Sequence, residues 1–401
     1  MTSEGRQTGT EHDAEGGLRQ LSCLPPARSV SLALFAFLFG LASVPVASAH
    51  GSATAGLTQY HGAFAIGLGV VLISATVLGK RSKFLTPTQA LYGVSVGLVV
   101  TAVGAILFES LAPDPVYAAG SMPFERSLYP LISIGVGLAI TVGSLLVGWV
   151  RWPTRPRYTF LGIVLGLWIS YPALVPNGYS HPLGYALVLG TPVLVGYILW
   201  TDARGALRAV LADPVSRRFG IGVGLLVGLF FLAVSGYLTV FLEEGAPHET
   251  TVSVLPVIYQ LVSWPTLEVV LPHVPLFFAA SIGVVVVVGT LSVLVGLNAA
   301  FVARSWRLEE RTGGMAGSTA GTGAVVGSCT CGCCGPLVAK IAVLAAGPSI
   351  AAPLYWVFVD SASPLGSLFV VGSIVLFTAS LVYSVETAGQ PDRSASVVPA
   401  D

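Results

Sequence analysis

The chain has 401 residues, of which 54% are apolar and only 9% are charged, and Lys and Arg balance Asp and Glu. Its mean hydropathy of +0.82 is far above that of water-soluble proteins of this length, so the solvent of the fold is lipid. A net charge of zero gives no basic surface for nucleic acid and no acidic tail for a polycationic partner, and both classes of function are excluded.

Apolar runs long enough to cross a bilayer follow one another along the chain. A helix needs about 20 apolar residues to span the hydrocarbon core, and about ten such runs occur. They lie near residues 29–49, 62–79, 89–111, 128–150, 158–176, 183–200, 219–242, 274–303, 321–346 and 365–385. The sequence therefore predicts an all-α integral membrane protein, with glycines on the faces by which membrane helices approach closely.

The basic residues predict the orientation of this bundle. Nearly all Lys and Arg residues fall in the polar tail 1–28 or in alternate connections between the predicted helices. By the positive-inside rule, these connections face the cytoplasm. We therefore predict a multi-pass protein of the cell membrane, with its N-terminal tail and its C-terminal tail, 386–401, in the cytoplasm. The run 29–49 ends in Ala-Ser-Ala and is also typical of a cleaved signal, whose removal would expose His50.

Two pairs of helical stretches are similar in sequence. The pairs are Ser133–Gly148 with Ser281–Gly296, which are identical at half of their positions, and Tyr92–Val100 with Phe219–Val227. Because the matches keep the same order, we predict a duplicated four-helix unit, with residues 29–152 as the first membrane repeat and 153–306 as the second. Two repeats of four crossings have the same orientation. Helix 29–49 then belongs to the fold, which favours its retention. The alternative is chance similarity between Gly-, Val- and Leu-rich helices.

The outer connection between the two helices 219–242 and 274–303 is the longest in the chain. Within it, Ser253–Val262 shows the alternation that is typical of a strand. Tyr259 and Trp264 are residue types that anchor segments at the membrane interface. We therefore predict an interfacial helix or lid in this connection.

Four of the five cysteines lie close together, at Cys329, Cys331, Cys333 and Cys334. Thiolates are soft ligands that favour Cu(I), Zn and other thiophilic ions, and C-x-C and C-x-x-C spacings let two or three sulfurs reach one ion. The C-x-x-C spacing also suits dithiol–disulfide exchange. Small-residue packing, the structural alternative, would scatter cysteines at helical spacing. The cluster therefore indicates sulfur chemistry, either metal binding or redox.

The cysteine segment and the last predicted helix resemble the two-helix unit of the mercuric transport protein family. The resemblance covers residues 321–385 and rests on Gly332–Gly347, where a vicinal cysteine pair is soon followed by Pro, and on Pro364–Tyr383. In that family the first helix runs from the inside to the outside of the membrane. The resemblance implies that Cys333 and Cys334 are the ion-carrying pair. Two further cysteines precede this pair, which makes copper as good a candidate as mercury.

A linker sets this cysteine unit apart from the rest of the chain. Residues 307–322 are rich in Gly, Ser and Thr and predict a flexible linker, so residues 323–385 are predicted to form a cysteine-motif hairpin. Lys340 lies in its first apolar run, where a charge is costly unless it pairs or reaches the interface. Either its ammonium group balances a thiolate within the membrane, or the helix begins at Pro336 and Lys340 reaches the cytoplasmic surface.

The histidines give a second indication of metal binding. In the predicted topology, all but one lie on the outer side: His50, His61, His181, His248 and His273. Imidazole suits copper, zinc and nickel, so these residues would form a capture site above the bundle. The alternative is an ordinary amphipathic role at the membrane interface.

These patterns favour a membrane protein that handles or transports a soft metal ion, with copper as the first candidate. Its predicted partners are the lipid bilayer and a metal carrier or another membrane protein. The sequence contains no phosphate-binding Gly-Lys-Ser/Thr loop and no H-E-x-x-H or C-x-x-C-H motif, and it gives no positive indication of an enzyme. Two alternatives stay open, namely a membrane thiol–disulfide oxidoreductase and a non-catalytic membrane assembly subunit.

Overall fold

The structure is a computed structural model and describes residues 58–111, 125–240, 249–271, 276–312, 353 and 364–388. All of them belong to one compact unit, Ser52–Asp401. The helices are α1 (Gln59–Arg81), α2 (Pro87–Ser110), α3 (Tyr129–Arg151), α4 (Pro156–Leu174), α5 (Pro182–Asp202), α6 (Arg204–Ala212), α7 (Pro214–Val234), α8 (Ile282–Thr312) and α9 (Pro364–Ala388). The strands are β1 (Leu238–Val240), β2 (Thr251–Tyr259), β3 (Val262–Leu271) and β4 (Leu276–Ala280).

The described part of the chain is mostly helical, as predicted. Seven of its helices, all except α4 and α6, are long and apolar enough to cross a membrane. This confirms a helical membrane protein but gives fewer spans than the predicted ten. Helix α4 forms where a span was predicted and falls outside the set of seven. The predicted helices 29–49 and 321–346 lie outside the described residues.

The described residues between 238 and 280 depart from the all-α prediction. They form an antiparallel four-stranded sheet in the order β1-β4-β3-β2. Strands β2 and β3 make a hairpin whose first turn residue, Gln260, has a φ of +57°. The alternation noted in the sequence was therefore that of a strand, and the predicted interfacial helix is wrong. A lid, the alternative, stays a prediction.

The two helices flanking the sheet are shorter at their outer ends than predicted. Helix α7 ends before Gly236, whose φ is +76°. There the amide of Tyr237 donates to the carbonyl of Leu232 (2.9 Å), and the amide of Gly236 donates to that of Ala233 (3.1 Å), which is a Schellman motif. Helix α8 begins after Ser281, whose Oγ accepts from the amide of Val284 (3.3 Å). The apolar strands β1 and β4 had been merged with the helices because hydropathy does not distinguish them.

Three pairs of helices make the most extensive interhelical contacts, namely α1 with α2, α3 with α4, and α7 with α8. Each pair crosses where two glycines face one another: Gly69 and Gly97, Gly137 and Gly166, Gly220 and Gly296. A Cβ atom added to any of these six would come within 3.0 Å of the facing carbonyl oxygen. Only glycine permits this backbone approach, which is the packing mode that the glycine content predicted.

The three helix pairs also share short sequence motifs. The first helices contain Ile-Gly-x-Gly, at Ile66–Gly69, Ile134–Gly137 and Ile221–Gly224. The second helices contain Gly-Leu, followed by a small residue four positions after the glycine, at Gly97–Thr101, Gly166–Ser170 and Gly296–Ala300. The pair α3–α4 spans the predicted boundary between the two four-helix repeats. That duplication stays a prediction, because its first helix lies outside the described residues.

The two opposite ends of the bundle differ in the contacts that they make, and we call them the charged end and the sheet end. At the charged end, Arg157 pairs with Asp202, Arg307 with Asp213, and Arg155 with Glu386. At the sheet end, the strands lie on the C-terminal ends of α4 and α7 and the N-terminal ends of α5 and α8. The core between them is formed by side chains that include Trp168, Phe231, Leu291 and Phe377.

Candidate functional site

Most of the predicted ligands lie outside the described residues. These are Cys329, Cys331, Cys333 and Cys334, and the three histidines His50, His248 and His273. The described residues do contain His61 and His181. Within the described ranges, no group of three or more His, Cys, Asp or Glu side chains is arranged to hold a metal ion.

The two described histidines both act as helix caps. The Nδ1 atom of His61 accepts from the amide of Thr58 (3.1 Å) at the start of α1, and the Nδ1 atom of His181 accepts from the amide of Leu183 (3.2 Å) at the start of α5. A neutral imidazole whose Nδ1 accepts carries its proton on Nε2. Coordination of a metal by either ring would therefore require the cap to open or the ring to lose that proton.

These two caps both lie at the sheet end of the bundle. The start of α1 packs on the C-terminal part of α2 and on Val234, the last residue of α7. The start of α5 lies under the sheet, where the hydroxyl of Tyr185 donates to the carbonyl of Ser263 (2.6 Å) and Tyr185 packs edge-on against Trp264. His61 and His181 are thus on the same side of the bundle, opposite the ion pairs.

The strongest polar arrangement in the described chain is at the charged end, where Asp202 closes α5. Its carboxylate accepts two hydrogen bonds from Arg157, one of them from Nε at 2.7 Å, and a third from the hydroxyl of Tyr158 at 2.7 Å. The side chains of Arg157 and Asp202 are only 19% and 10% exposed. A bidentate pair of this kind fixes the geometry of both partners. It joins the N-terminal end of α4 to the C-terminal end of α5.

A second carboxylate, Asp213, links α7 to α8. It caps α7 by accepting from the amide of Ser216 (3.2 Å), and it pairs with Arg307. Burial opposes ionisation of Asp213, but the hydrogen bonds from Ser216 and the Arg307 guanidinium outweigh burial and lower its pKa. Trp306 precedes Arg307 in α8, and the ammonium group of Lys80 lies 4.7 Å from its ring centroid. The C-terminal end of α1 therefore also lies at the charged end.

A third pair fixes the end of α9. Arg155, which precedes α4, pairs with Glu386 in the last turn of α9, and the two side chains are 37% and 47% exposed. The carboxylate of Glu386 raises the pKa of Arg155 through a hydrogen bond, which keeps the guanidinium charged. The C-terminal ends of α5, α8 and α9 and the N-terminal ends of α4 and α7 therefore lie together at one end of the bundle.

An apolar groove of about 720 Å³ runs between α3, α4 and α9. Its walls are mainly small and aliphatic, and its polar and aromatic lining residues at the charged end include Trp152, Tyr158, Tyr383 and Glu386. A second groove, of about 620 Å³, lies between α7 and α8 and is lined by several glycines, with Arg217 among its residues. Both grooves are therefore apolar surfaces.

Among the described residues, the bundle interior contains one buried side-chain amide, that of Asn298. Its Nδ2 donates to the carbonyl of Leu294 (2.8 Å) in its own helix and to that of Phe377 (3.2 Å) in α9, and the residue is 4% exposed. The Oγ1 of its neighbour Thr378 is buried without a partner among the described residues. Asn298 was not predicted, although an isolated Asn in an apolar run is a recognisable signal of an interhelical hydrogen bond.

The stretch Gly93–Gly97 matches the G-x-S-x-G pattern of serine hydrolases. It lies inside α2, where the hydroxyl of Ser95 donates to the carbonyl of Leu91 (2.9 Å). A nucleophile elbow requires a sharp turn between a strand and a helix. The match therefore does not indicate hydrolase activity.

Comparison of the chain with known protein families, with characterised proteins and with solved structures gives no match. The case for function therefore rests on the residues themselves.

Proposed function

We propose that this protein binds a soft metal ion, with copper as the first candidate, and moves it across the cell membrane. The observation that carries the proposal is the cluster of Cys329, Cys331, Cys333 and Cys334 in a chain whose described helices are built for lipid. Thiolates so closely spaced favour a thiophilic ion over hard cations such as Mg²⁺ or Ca²⁺.

The directions of α8 and α9 support a membrane crossing by the cysteine segment. Both helices run from the sheet end to the charged end, since Arg307 and Glu386 near their C-terminal ends pair there and Asn298 joins them side by side. Helix α9 has 25 residues and is about 37 Å long, so it begins at the sheet end. The chain must therefore return from the charged end to the sheet end between residues 312 and 364.

The cysteines come early on this return path. In this proposal the chain crosses the membrane after residue 312, and residues 329–334 belong to the first half of that crossing, nearer to the charged end. The basic residues at that end favour a cytoplasmic location for it, with both tails on the same side. In this proposal an ion arrives at the sheet end, where the outer histidines lie, and is received by the thiolates near the cytoplasm.

The test is the metal content of protein purified in detergent under reducing conditions and reconstituted with Cu(I). The matched control has all four clustered cysteines changed to Ser and keeps Cys23. We expect near-stoichiometric copper in the wild type and none in the control. Binding should weaken as the pH falls, because the thiols must lose their protons. Equal copper content in the two proteins would overturn the proposal.

A second candidate function is favoured by one observation, the C-x-x-C spacing of Cys331 and Cys334. Such a pair supports exchange between a dithiol and a disulfide. In that case the purified protein would hold no metal and would show a measurable dithiol potential. Replacing either cysteine alone would then abolish the redox reaction, whereas a metal site of four thiolates keeps part of its affinity.

A further inference from the structure

The groove between α3, α4 and α9 has an unusual distribution of polarity. It follows α9 from Leu368 to Glu386, and most of its lining residues are apolar. Side chains that line it and are well exposed include Val147 (50%), Val375 (44%), Leu376 (43%) and Tyr383 (62%). The acidic residue among its lining residues is Glu386, at the charged end. The groove therefore suits an apolar rod that carries one positive charge near one end.

We propose that this groove is the docking site of the chain's own segment 336–347, packed antiparallel to α9. The first argument is chain connectivity. The segment that precedes α9 must cross from the charged end to the sheet end and then enter α9 at Pro364. Consecutive elements joined in this way usually pack side by side, and the open side of α9 is the groove.

The second argument is charge. Lys340 is the only charged residue of the segment 336–359, and it lies near the start of the crossing. An antiparallel arrangement brings this end of the segment to the same end of the groove as Glu386. A lysine in an apolar segment is tolerated when it meets a carboxylate or the interface. Glu386 pairs with Arg155 in an exposed position, and a carboxylate can accept from two cations at once.

The third argument is size. The segment contains four alanines and ends in Gly347, and the groove wall contains Gly143 and Gly372, each with open space at its Cβ position. Small residues on both partners allow close approach of membrane helices. The docking does not depend on metal binding. Its consequence for the proposed function is that Cys333 and Cys334, just before Pro336, would lie at the mouth of the groove, beside Arg155 and Trp152.

The test is disulfide cross-linking in a bilayer, with all five native cysteines changed to Ser so that docking is measured apart from metal binding. Single cysteines at residues 343, 344 and 345 are each combined with V382C in α9 or with L225C in the competing groove of α7 and α8. A disulfide requires Cα atoms within about 7 Å. We expect an intramolecular cross-link with V382C for at least one of the three positions and none with L225C.

A positive control shows that the cysteine-free bundle is folded. Gly228 and Ser292 face one another, with Ser292 Oγ 3.0 Å from a Cβ at Gly228, so G228C with S292C should cross-link. Charge reversal gives a second readout. We expect Lys340→Glu to lower cross-linking to V382C, and the double variant Lys340→Glu with Glu386→Lys to restore it. Cross-linking to L225C, cross-linking only between molecules, or no cross-link while the control pair reacts would each overturn the proposal.

Discussion

The charged end and the sheet end of the bundle are held together by different interactions. At the charged end, ion pairs join residues that are far apart in sequence, such as Arg157 with Asp202 and Arg307 with Asp213. At the sheet end, a ladder of backbone hydrogen bonds lies on the helix ends, and burial raises the pKa of Tyr237 to about 12. The comparison indicates that the charged end is fixed by a few specific contacts, whereas the sheet end distributes its stability over many.

Loss of Asp202 is expected to have the largest effect at the charged end. Asp202→Ala leaves the Arg157 guanidinium, which is 19% exposed, without its carboxylate. Removing one partner of a largely buried pair costs about 3 kcal/mol. The free energy of unfolding, measured by circular dichroism in mixed micelles with SDS, should fall by this amount. Glu386→Ala, which breaks the exposed pair with Arg155, is the matched control and should cost less than about 1 kcal/mol. Equal losses would contradict this ranking.

Substitution of the crossing glycines tests the region between the two ends. In Gly69→Ala the new Cβ would lie 2.2 Å from Thr101 Oγ1 and 2.7 Å from the carbonyl oxygen of Gly97. Such overpacking costs about 2 kcal/mol. Gly67, in the same sequence motif, has open space at its Cβ position, so Gly67→Ala should cost nothing. The same unfolding assay applies. Because Ala favours the helix over Gly, an equal loss at both positions would contradict the claim that close approach at Gly69 decides the cost.

A single backbone position tests the sheet end. Gly236 ends α7 with a φ of +76°, and a side chain there costs about 1 kcal/mol. Gly236→Ala should lower the unfolding free energy by this amount, and Gly236→Asn by less, because Asn tolerates the left-handed conformation better. If the sheet end spreads its stability over many contacts, both variants should still bury Trp264, as judged by its fluorescence.

The smallest effect is expected from the charge of Asp213. In Asp213→Asn the amide oxygen can still cap α7 and accept a hydrogen bond from Arg307, so only the negative charge is lost, at a cost of about 0.5 to 1 kcal/mol at neutral pH. Since the pKa of Asp213 is lowered in the folded protein, its contribution is present above the unfolded pKa of about 3.9 and is lost as the pH falls through the folded value. Unfolding measured from pH 6 downwards should therefore bring wild type and variant together. A constant difference over that range would exclude this linkage.

The helical part of the fold was predictable because lipid imposes a simple rule. Long apolar runs separated by Pro and basic residues predicted α1, α2, α3 and α5 to within a few residues. The sheet was missed because strands such as β4 are as apolar as the helix that follows. The signals that separate them are local, namely the cap at Ser281 and the positive φ of Gly236.

The candidate site was predictable only in part. The accumulation of basic residues at one end was visible in the sequence, but their partners Asp202, Asp213 and Glu386 were not, because each pair joins residues far apart in the chain. The interhelical hydrogen bond of Asn298 depends likewise on the approach of α8 and α9. The cysteine cluster stays a prediction from residue type and spacing.

The most direct test of the account is copper uptake by proteoliposomes in which the charged end faces the lumen. Orientation is checked with the substitution Lys83→Cys in the turn after α1, at the charged end. Vesicles are selected in which this cysteine is protected from an impermeant thiol reagent and therefore faces the lumen. We predict Cu(I) accumulation by the chain with its four clustered cysteines and uptake no faster than in protein-free vesicles when these four are Ser. Equal accumulation by both proteins, or none by either, would contradict the claim that the cysteine cluster receives the ion.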